Sequence, residues 1–293
     1  MPEGPVVLEE NDTPGHPMSP WFADARRIRR EHYAGRTSHT PKRTALLTLV
    51  QNEAYFLPIF LGYYSRFFAA EDIYVIDHDT TDGSTDRGGF VRLPVSHDTF
   101  DVPWMVQTVQ EQQHELLDSY EAVLVADVDE IVAPNPEWGT LGDYLERFDE
   151  RWVNCLGYEI LHFKDEEPPL DRDRPVLEQR RFWYPNDAYD KPALASEKQT
   201  WRLGLHGRAD NHFNLDPDLR MIHLHRVDFD HCLERHQRWR ERTWSERNRD
   251  RGLGVHIRER DEADFERWFY EDSAFSGIKI SVEEIPPAWR TVF

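Results

Sequence analysis

The sequence predicts an α/β fold of the Rossmann-like type, with a mostly parallel sheet flanked by helices. Three stretches carry this prediction, residues 44–50, 73–77 and 122–126. Each is apolar without strict alternation, which is typical of a parallel strand covered on both faces. Apolar residues at intervals of three and four between Val102 and Tyr120 indicate a helix before the last of these strands. Strands alternating with helices favour a parallel sheet with right-handed crossovers.

The remaining elements are predicted from length, aromatic content and apolar spacing. A buried helix rich in aromatic residues should follow the first strand and extend to Phe68. The other predicted elements are, in chain order, a short strand over residues 90–95, strands over 152–163 and 219–229, and helices over 230–248 and 262–275. A long polar segment, residues 168–192, interrupts the second half.

The chain of 293 residues suits one large domain with appendages better than two equal domains. Residues 44–229 are predicted to form the catalytic domain. Residues 1–43, rich in Pro, Gly, Arg and Glu, are expected to form an irregular N-terminal arm. Residues 230–293 are expected to form a helical C-terminal extension that packs on the domain.

The overall charge argues against binding to nucleic acid. The chain has 55 acidic and 35 basic residues, a formal net charge of −20, so no basic surface would displace the counterions of a polyanion. Two cysteines, Cys155 and Cys232, are too few for a disulfide framework, and no apolar run is long enough to cross a bilayer. A cytoplasmic protein without a transmembrane segment is therefore expected.

Two aspartates follow the buried strand at residues 122–126. Residues two apart in an extended segment point the same way, so Asp127 and Asp129 could face one hard cation such as Mg²⁺ or Mn²⁺. A cation at that point could neutralise the charge of a departing diphosphate. Acidic residues also commonly end strands and cap turns, so the pair taken alone leaves a structural role open.

A second acidic segment follows the strand at residues 73–77. It runs from Asp77 to Ser84 and includes small polar residues that favour a turn. Carboxylates at this point can accept the N–H of a nucleobase or a ribose hydroxyl. The alternative is an acidic surface turn that binds no ligand.

Three motifs follow the predicted strands in order: residues 50–53 (VQNE) after the first strand, 76–84 (IDHDTTDGS) after the second and 127–130 (DVDE) after the strand at 122–126. In this order and spacing they are similar to the motifs of family 2 glycosyltransferases. More narrowly, the sequence resembles the branch with an Asn-Glu signature and a His-rich strand late in the chain. The resemblance covers about residues 44–240. It implies the GT-A fold, a nucleotide-sugar donor and a divalent cation, Mn²⁺ or Mg²⁺.

The resemblance also implies roles for residues at matching positions. Asn52, Glu53 and Asp77 would bind the nucleotide, with Asp79 as a further candidate. Asp127 would lie near the ribose and the metal. The spacing alone shows only that these side chains could converge at the carboxyl ends of neighbouring strands.

The metal site implied by the resemblance has Asp129 as a ligand together with a histidine from the late strand. His223 and His225 lie in that region, two residues apart, so they could share a face. The spacing from His223 to Asp228 and His236 makes His223 the better match. Either histidine could instead be a buried or surface polar residue without a metal.

Lys191 and His206 are candidates for loops on the acceptor side. A lysine or histidine there could bind a diphosphate or a sugar hydroxyl, and turn formation is the alternative role for both.

The catalytic base has no clear position in the sequence. Most inverting members of the family have an acidic base in a Glu-Asp pair beyond the DxD motif, and no such pair stands in that place here. Asp187, Asp190 and Glu197 are the predicted candidates, and Asp210 is a further one.

Together these features predict a metal-dependent glycosyltransferase that transfers a sugar from a nucleotide-sugar donor to an acceptor hydroxyl, with inversion. A nucleotidyltransferase, or another enzyme that processes nucleoside diphosphates on the same fold, is an alternative. A nucleotidyltransferase usually has a Gly-rich, basic phosphate loop near the first strand, and residues 51–53 (QNE) do not form one. A catalytically inactive nucleotide-binding module is the other alternative, although erosion of the acidic motifs would then be expected.

Overall fold

The computed structural model describes most of the chain, namely residues 26, 27, 29, 31, 43–254, 262–271 and 280–293. The predicted N-terminal arm, residues 1–43, therefore lies largely outside the described residues. Arg26, Arg29 and Arg43 are described side chains of this segment that contact the domain. Arg26 forms an ion pair with Asp218 at 3.2 Å, and Arg29 forms one with Glu150 at 2.5 Å.

The described residues form strands and helices in an alternating order in the first half of the chain. The strands are β1 (Thr44–Val50), β2 (Ile73–His78), β3 (Val91–Val95), β4 (Ala122–Val125), β5 (Glu130–Pro134), β6 (Trp152–Leu161), β7 (Phe182–Pro185), β8 (Leu194–Ala195), β9 (Leu215–His223) and β10 (Glu283–Glu284). The α-helices are α1 (Phe56–Tyr64), α2 (Val102–Leu116), α3 (Leu141–Arg147), α4 (Val176–Gln179), α5 (Phe229–Glu241), α6 (Glu246–Asp250) and α7 (Glu262–Glu271).

One half of the sheet is parallel and contains the strands with the clearest apolar runs. β3, β2, β1 and β4 lie side by side in that order, and each neighbouring pair is parallel. Successive residues of β1 enter different parts of the core. Leu46 belongs to the cluster that contains Phe56 and Phe60 of α1, whereas Leu47 belongs to the cluster that contains Val106 of α2. Because both faces are covered, the strand needs no polar positions.

The other half of the sheet is mixed. β8 pairs antiparallel with β4 and β6. β7 pairs antiparallel with β6 and with β10. β9 pairs parallel with β6 and antiparallel with β5. The predicted α/β architecture is confirmed, with the parallel pairs concentrated among the first four strands.

The late strand lies earlier in the chain than the predicted residues 219–229. The sequence did not predict β5, and β9 pairs with it from Leu219 to His223. Beyond His223 the chain turns, and Asp228 caps α5 by accepting a hydrogen bond from the N–H of His231. Of the two late histidines, only His223 therefore lies in the strand.

The second half contains more regular structure than the sequence predicted. Two helices, α5 and α6, stand in place of the one predicted over residues 230–248. Ser245 is the N-cap of the second. The predicted helix over 262–275 is α7, and its last four residues lie outside the described part. The polar segment 168–192 contains α4 and β7, whose Trp183 is buried.

The described residues within 230–293 take part in the same structure as the preceding chain. β10 joins the sheet through β7, and Trp289 packs in the main core. The division into a domain of residues 44–229 and an extension stays a prediction. None of the helices in the described ranges is both long and apolar enough to span a bilayer.

Candidate active site

A cleft of about 360 Å³ opens beyond the carboxyl ends of β1 and β4, the edge at which open α/β sheets place their ligands. One wall is apolar and includes Val102, Met105 and Val106 of α2. The floor is charged. Among the described residues, its Asp, Glu, Lys and Arg side chains are Glu53, Asp127, Asp129, Glu159, Lys191, Arg235 and Arg242.

Asp127 and Asp129 have separate sets of partners. The chain turns between β4 and β5, and the N–H of Glu130 donates to the carbonyl of Asp127 at 2.9 Å. The segment is therefore a turn. The sequence-based interpretation, which assumed an extended segment, was wrong on this point. Asp127 accepts a hydrogen bond from Nζ of Lys191, whereas Asp129 contacts Arg235 and lies near two histidines.

Lys191 is a buried cation between two carboxylates. Its Nζ lies 2.7 Å from Asp127 and 2.6 Å from Glu130. Burial alone would lower the pKa of Lys191, but the two carboxylates outweigh it and the pKa is raised. Lys191 is therefore protonated throughout the neutral range. It can donate hydrogen bonds to a ligand but cannot act as a base.

Asp129 is buried at the centre of the floor. Its Oδ2 contacts Nη1 of Arg235 and lies 3.5 Å from Nε2 of His223 and 3.6 Å from Nδ1 of His225. Burial would raise the pKa of Asp129, but Arg235 and His223 together hold it well below the usual range. Asp129 is therefore an ionised carboxylate surrounded by nitrogen atoms.

His223 lies between two carboxylates and is held by both. Its Nδ1 is 3.0 Å from Oε1 of Glu159, and its ring stacks on Tyr189 with centroids 3.9 Å apart. Burial opposes protonation, but Asp129 and Glu159 raise the pKa of His223 to about 9. The pKa of Glu159 is lowered to about 2 in spite of burial, mainly by Arg226 and His223.

His225 differs from His223 in charge. Its Nε2 lies 2.7 Å from Nε2 of His236, and Nη1 of Arg235 lies 3.1 Å from its Nδ1. Burial and the positive charge of Arg235 lower the pKa of His225 to about 4, although Asp129 acts in the opposite direction. His225 is therefore neutral at neutral pH.

Within the described part of the chain, two groups of side chains have the spacing needed to hold a metal ion. Asp129, His223 and His225 each offer a ligand atom within 4.8 Å of the others, and all three are buried. One oxygen and two nitrogens suit Mn²⁺ better than Mg²⁺. The second group is His225 with Cys232 and His236. Burial raises the pKa of the Cys232 thiol, which opposes formation of a thiolate.

Asn52 connects the loops that follow β1 and β2. It has a left-handed backbone conformation with φ of 59°, and its side-chain oxygen accepts hydrogen bonds from the N–H groups of Thr81 at 2.7 Å and Asp82 at 3.1 Å. The same oxygen lies 3.3 Å from the hydroxyl of Thr81, so its contacts are with the loop after β2.

Asp77 is also satisfied within the protein. One oxygen accepts the N–H of Thr80 at 3.0 Å, and the other accepts the hydroxyl of Thr85 at 2.9 Å and Nε of Arg92 at 2.6 Å. Burial would raise the pKa of Asp77, but these hydrogen bonds lower it. Asp79 is exposed and accepts a backbone N–H from the loop after β3.

Asn52, Asp77 and Asp79 do not line the cleft in the described part of the chain, so their nucleotide-binding roles stay predictions. Glu53 does line it. Its Oε1 accepts hydrogen bonds from Nη2 of Arg235 at 2.8 Å and from Nε at 3.1 Å, while its buried Oε2 has no hydrogen-bond partner among the described residues. Burial raises the pKa of Glu53 against the effect of Arg235.

Asp190, a predicted base, bonds to the backbone of β6 instead of lining the described part of the cleft. Its Oδ1 accepts the N–H of Gly157 at 2.7 Å, and burial raises its pKa well above the usual range. A Cβ on Gly157 would lie 2.3 Å from the carbonyl oxygen of Asn186, so the turn that carries Tyr189 packs directly on β6 at this glycine. Asp190 thereby contributes to the position of the ring on which His223 stacks.

The other predicted bases do not line the described part of the cleft. Glu197 forms ion pairs with Arg151 and Arg208, and Asp210 pairs with Arg208 at 2.6 Å. Asp187 is exposed in a 3₁₀ turn. Neither these three nor Asp190 line the cleft within the described ranges, and their role as base stays a prediction.

His206 lines the cleft with a defined tautomer. Its Nδ1 lies 2.7 Å from the carbonyl oxygen of Ala188, and a carbonyl only accepts, so Nδ1 carries the proton. Burial, reinforced by the charge of Lys191, lowers the pKa of His206 to about 3. It is a neutral side chain at neutral pH.

Sequence reasoning missed Glu159, Arg235 and Arg242. Arg235 lies on the same face of α5 as Cys232 and His236, at helical spacing. A charged residue on a face that otherwise packs inward was the available signal. Glu159 had a similar signal, because it is an acidic residue within a strand that is buried from its second residue onward.

The chain has no match among protein-family models, and no curated protein matches its sequence. Among solved structures, it is similar to the mannosyltransferase PcManGT from Pyrobaculum calidifontis, solved in complex with GDP-Man and Mn²⁺. The match covers 75% of this chain and 71% of that chain, with 13% sequence identity and a TM-score of 0.36. A similarity of this size carries no functional argument.

Proposed function

We propose that this protein is a glycosyltransferase that binds a nucleotide-sugar donor and a divalent cation in the cleft. The observation that carries the proposal is the convergence of Asp129, His223 and His225 on the charged floor, within 4.8 Å of one another, beside a cavity of about 360 Å³. The cavity lies beyond the carboxyl ends of parallel strands, where nucleotides bind in open α/β sheets.

Asp129, His223 and His225 would hold the cation, and Mn²⁺ is expected to be preferred over Mg²⁺ because two of the three ligand atoms are nitrogens. A bound cation would supply positive charge for the diphosphate leaving group. Arg235 would then contact the same carboxylate, Asp129, as the bound cation. Glu159 fixes the ring of His223 from the opposite side, as the outer partners of metal-bound histidines usually do.

The protein's own side chains would position the donor and the acceptor. Lys191 places a permanent positive charge next to the cleft, where it can donate to a phosphate or a sugar hydroxyl. Neutral His206 offers hydrogen-bonding capacity without adding charge. The apolar wall formed by α2 keeps water away from one side of the reacting groups.

Inversion requires a base for the acceptor hydroxyl, and exposure favours Asp127 for this role. Its side chain is 43% exposed, whereas those of Asp129 and Glu159 are 6% and 1% exposed. A base must lie within hydrogen-bond reach of the proton that it removes, and the buried carboxylates are already surrounded by cations.

A thermal-shift panel with UDP-, GDP-, dTDP- and CDP-sugars, each with and without Mn²⁺, tests the proposal. One donor with Mn²⁺ should raise the melting temperature, because ligands that bind the native state stabilise it. The Asp129→Asn variant should lose the shift, whereas Asp118→Asn, which changes an exposed carboxylate at 73% exposure, should keep it. If no nucleotide sugar shifts the wild-type protein, the proposal is wrong.

A further inference from the structure

Among the described residues, one cation on the cleft floor has no acidic partner within ion-pair distance. Glu53, Asp127, Asp129, Glu159, Lys191 and Arg235 each lie within 4.0 Å of an oppositely charged group. Arg242 lines the same cleft, yet no carboxylate of the described residues lies within ion-pair distance of its guanidinium. Charged groups in a partly buried setting are normally paired, so the position of Arg242 requires an explanation.

The guanidinium of Arg242 is held in a fixed orientation. Its Cζ lies 4.9 Å from the ring centroid of Phe100 and 5.8 Å from that of Trp239, and Nη2 donates to the carbonyl oxygen of Gln51 at 3.2 Å. This bond uses one of the five N–H groups that an arginine can donate. The remaining N–H groups form a planar fork with no acceptor among the described residues.

The surroundings favour an added negative charge. Burial lowers the pKa of Arg242 to about 10, with the charges of Arg235 and Arg238 acting in the same direction and that of Glu53 acting against them. Arg242 therefore carries its charge at a cost that an anion beside it would offset. The chain as a whole has a net charge of −20, so an anion would be attracted only by a local group of cations such as this one.

We propose that Arg242 is the centre of an anion site that binds a phosphate group in the cleft. A guanidinium fork matches two oxygens of a phosphate. The aromatic rings of Phe100 and Trp239 hold the fork in place before the ligand arrives. If the proposed function is right, and this assignment rests on it, the group is the diphosphate of the nucleotide-sugar donor. Arg242 would then hold this diphosphate independently of the cation ligands.

Calorimetry with inorganic pyrophosphate tests the site on the full chain, in EDTA so that no cation contributes. The wild-type protein should bind pyrophosphate, and Arg242→Gln should bind it about 10- to 100-fold more weakly, the range expected for a charge-assisted pair. Arg242→Lys should lie between the two, because it keeps the charge but not the fork. Arg87→Gln, which changes an exposed arginine that is not among the described lining residues of the cleft, should bind as the wild type does.

Equal affinity in the wild type and Arg242→Gln, or no binding by the wild type, would overturn the proposal. Thermal unfolding of each variant checks that the fold is kept. If Arg242→Gln does not fold, Arg242→Lys takes its place, and unchanged affinity in that variant has the same meaning.

The outcomes also separate this inference from the proposed function. Pyrophosphate binding through Arg242, with no thermal shift by any nucleotide sugar, would support the anion site and contradict the proposed glycosyltransferase function. A response to a nucleotide sugar that does not change in Arg242→Gln would reject the anion site and keep the glycosyltransferase.

Discussion

Two acidic segments follow strands of the same parallel sheet, and the protein uses them differently. In the loop after β2, Asp77 accepts hydrogen bonds from Thr80, Thr85 and Arg92, all within the loop or the next strand. In the turn after β4, Asp129 contacts Arg235, a residue 106 positions later in the chain. The first segment is satisfied locally, and the second depends on a distant element.

The difference shows what makes an acidic motif available to a ligand. Local hydrogen bonds from backbone and hydroxyl groups use the oxygens of Asp77 and leave little capacity for another partner. Asp129 lies among side chains that could exchange one partner for another, and beside an open cavity. We infer that the second segment carries the chemistry and that the first keeps the loop in shape.

The largest expected effect is on turnover. Asp129→Asn should reduce sugar transfer by more than about a hundredfold, because loss of a metal ligand should cost at least as much as loss of an outer partner. Release of the nucleoside diphosphate from the donor identified by thermal shift measures it. Turnover in Asp129→Asn that equals the wild-type value would place the chemistry elsewhere.

The next effect is on stability and concerns the cation that holds Asp129. Arg235→Gln should lower the free energy of unfolding by about 3–5 kcal/mol, because it leaves two buried carboxylates, Asp129 and Glu53, without their shared partner. Urea unfolding at neutral pH measures the change. Arg92→Gln should cost less, since that side chain is 41% exposed and the hydroxyl and N–H partners of Asp77 remain. Equal costs would mean that the two segments do not differ in this way.

A smaller effect is expected at the local segment. Asp77→Asn should lower the free energy of unfolding by about 1–3 kcal/mol, since a neutral amide accepts these hydrogen bonds less well. Its response to donor and Mn²⁺ in thermal shift should match that of the wild type. If the response disappears while the fold remains, Asp77 binds the nucleotide, as the family resemblance implies, and the comparison above is wrong.

The smallest effect is on the pH dependence of the free energy of unfolding, and it concerns a histidine of α5, the helix that carries Arg235. His231 stacks on Tyr55, and burial with the charge of Arg235 lowers its pKa to about 3. A histidine whose pKa falls on folding binds its proton better in the unfolded state, so stability is lost as pH falls below about 6.5. His231 should contribute about 1.4 kcal/mol of this loss per pH unit.

His231→Phe removes the titrating group but keeps a ring on Tyr55. Its free energy of unfolding should fall less steeply than that of the wild type between pH 6.5 and 5, as measured by urea titration at several pH values. Identical slopes in the two proteins would show that His231 is not held neutral by its surroundings.

The sequence predicted the first half of the fold well. β1 has the predicted bounds, and β2, β3, β4 and α2 lie within a few residues of theirs. β1, β2 and β4 are buried along almost their whole length, so each contains a continuous apolar stretch that can be identified without its neighbours. β3 is less buried, and its Arg92 and Pro94 are exposed. β5 and β8 were not predicted, because each depends on pairing with a strand that is distant in the chain.

For the candidate site, the sequence by itself determined which carboxylates stand at the ends of buried strands, and this included Glu53, Asp127 and Asp129. Their partners were decided by tertiary structure alone. Arg235 reaches Asp129 only because α5 packs against the sheet, and Glu159 meets His223 only because β6 and β9 are neighbours. Periodicity in a sequence reports which face of an element is covered. It does not report which distant charge covers it, because that contact exists only after the elements have packed.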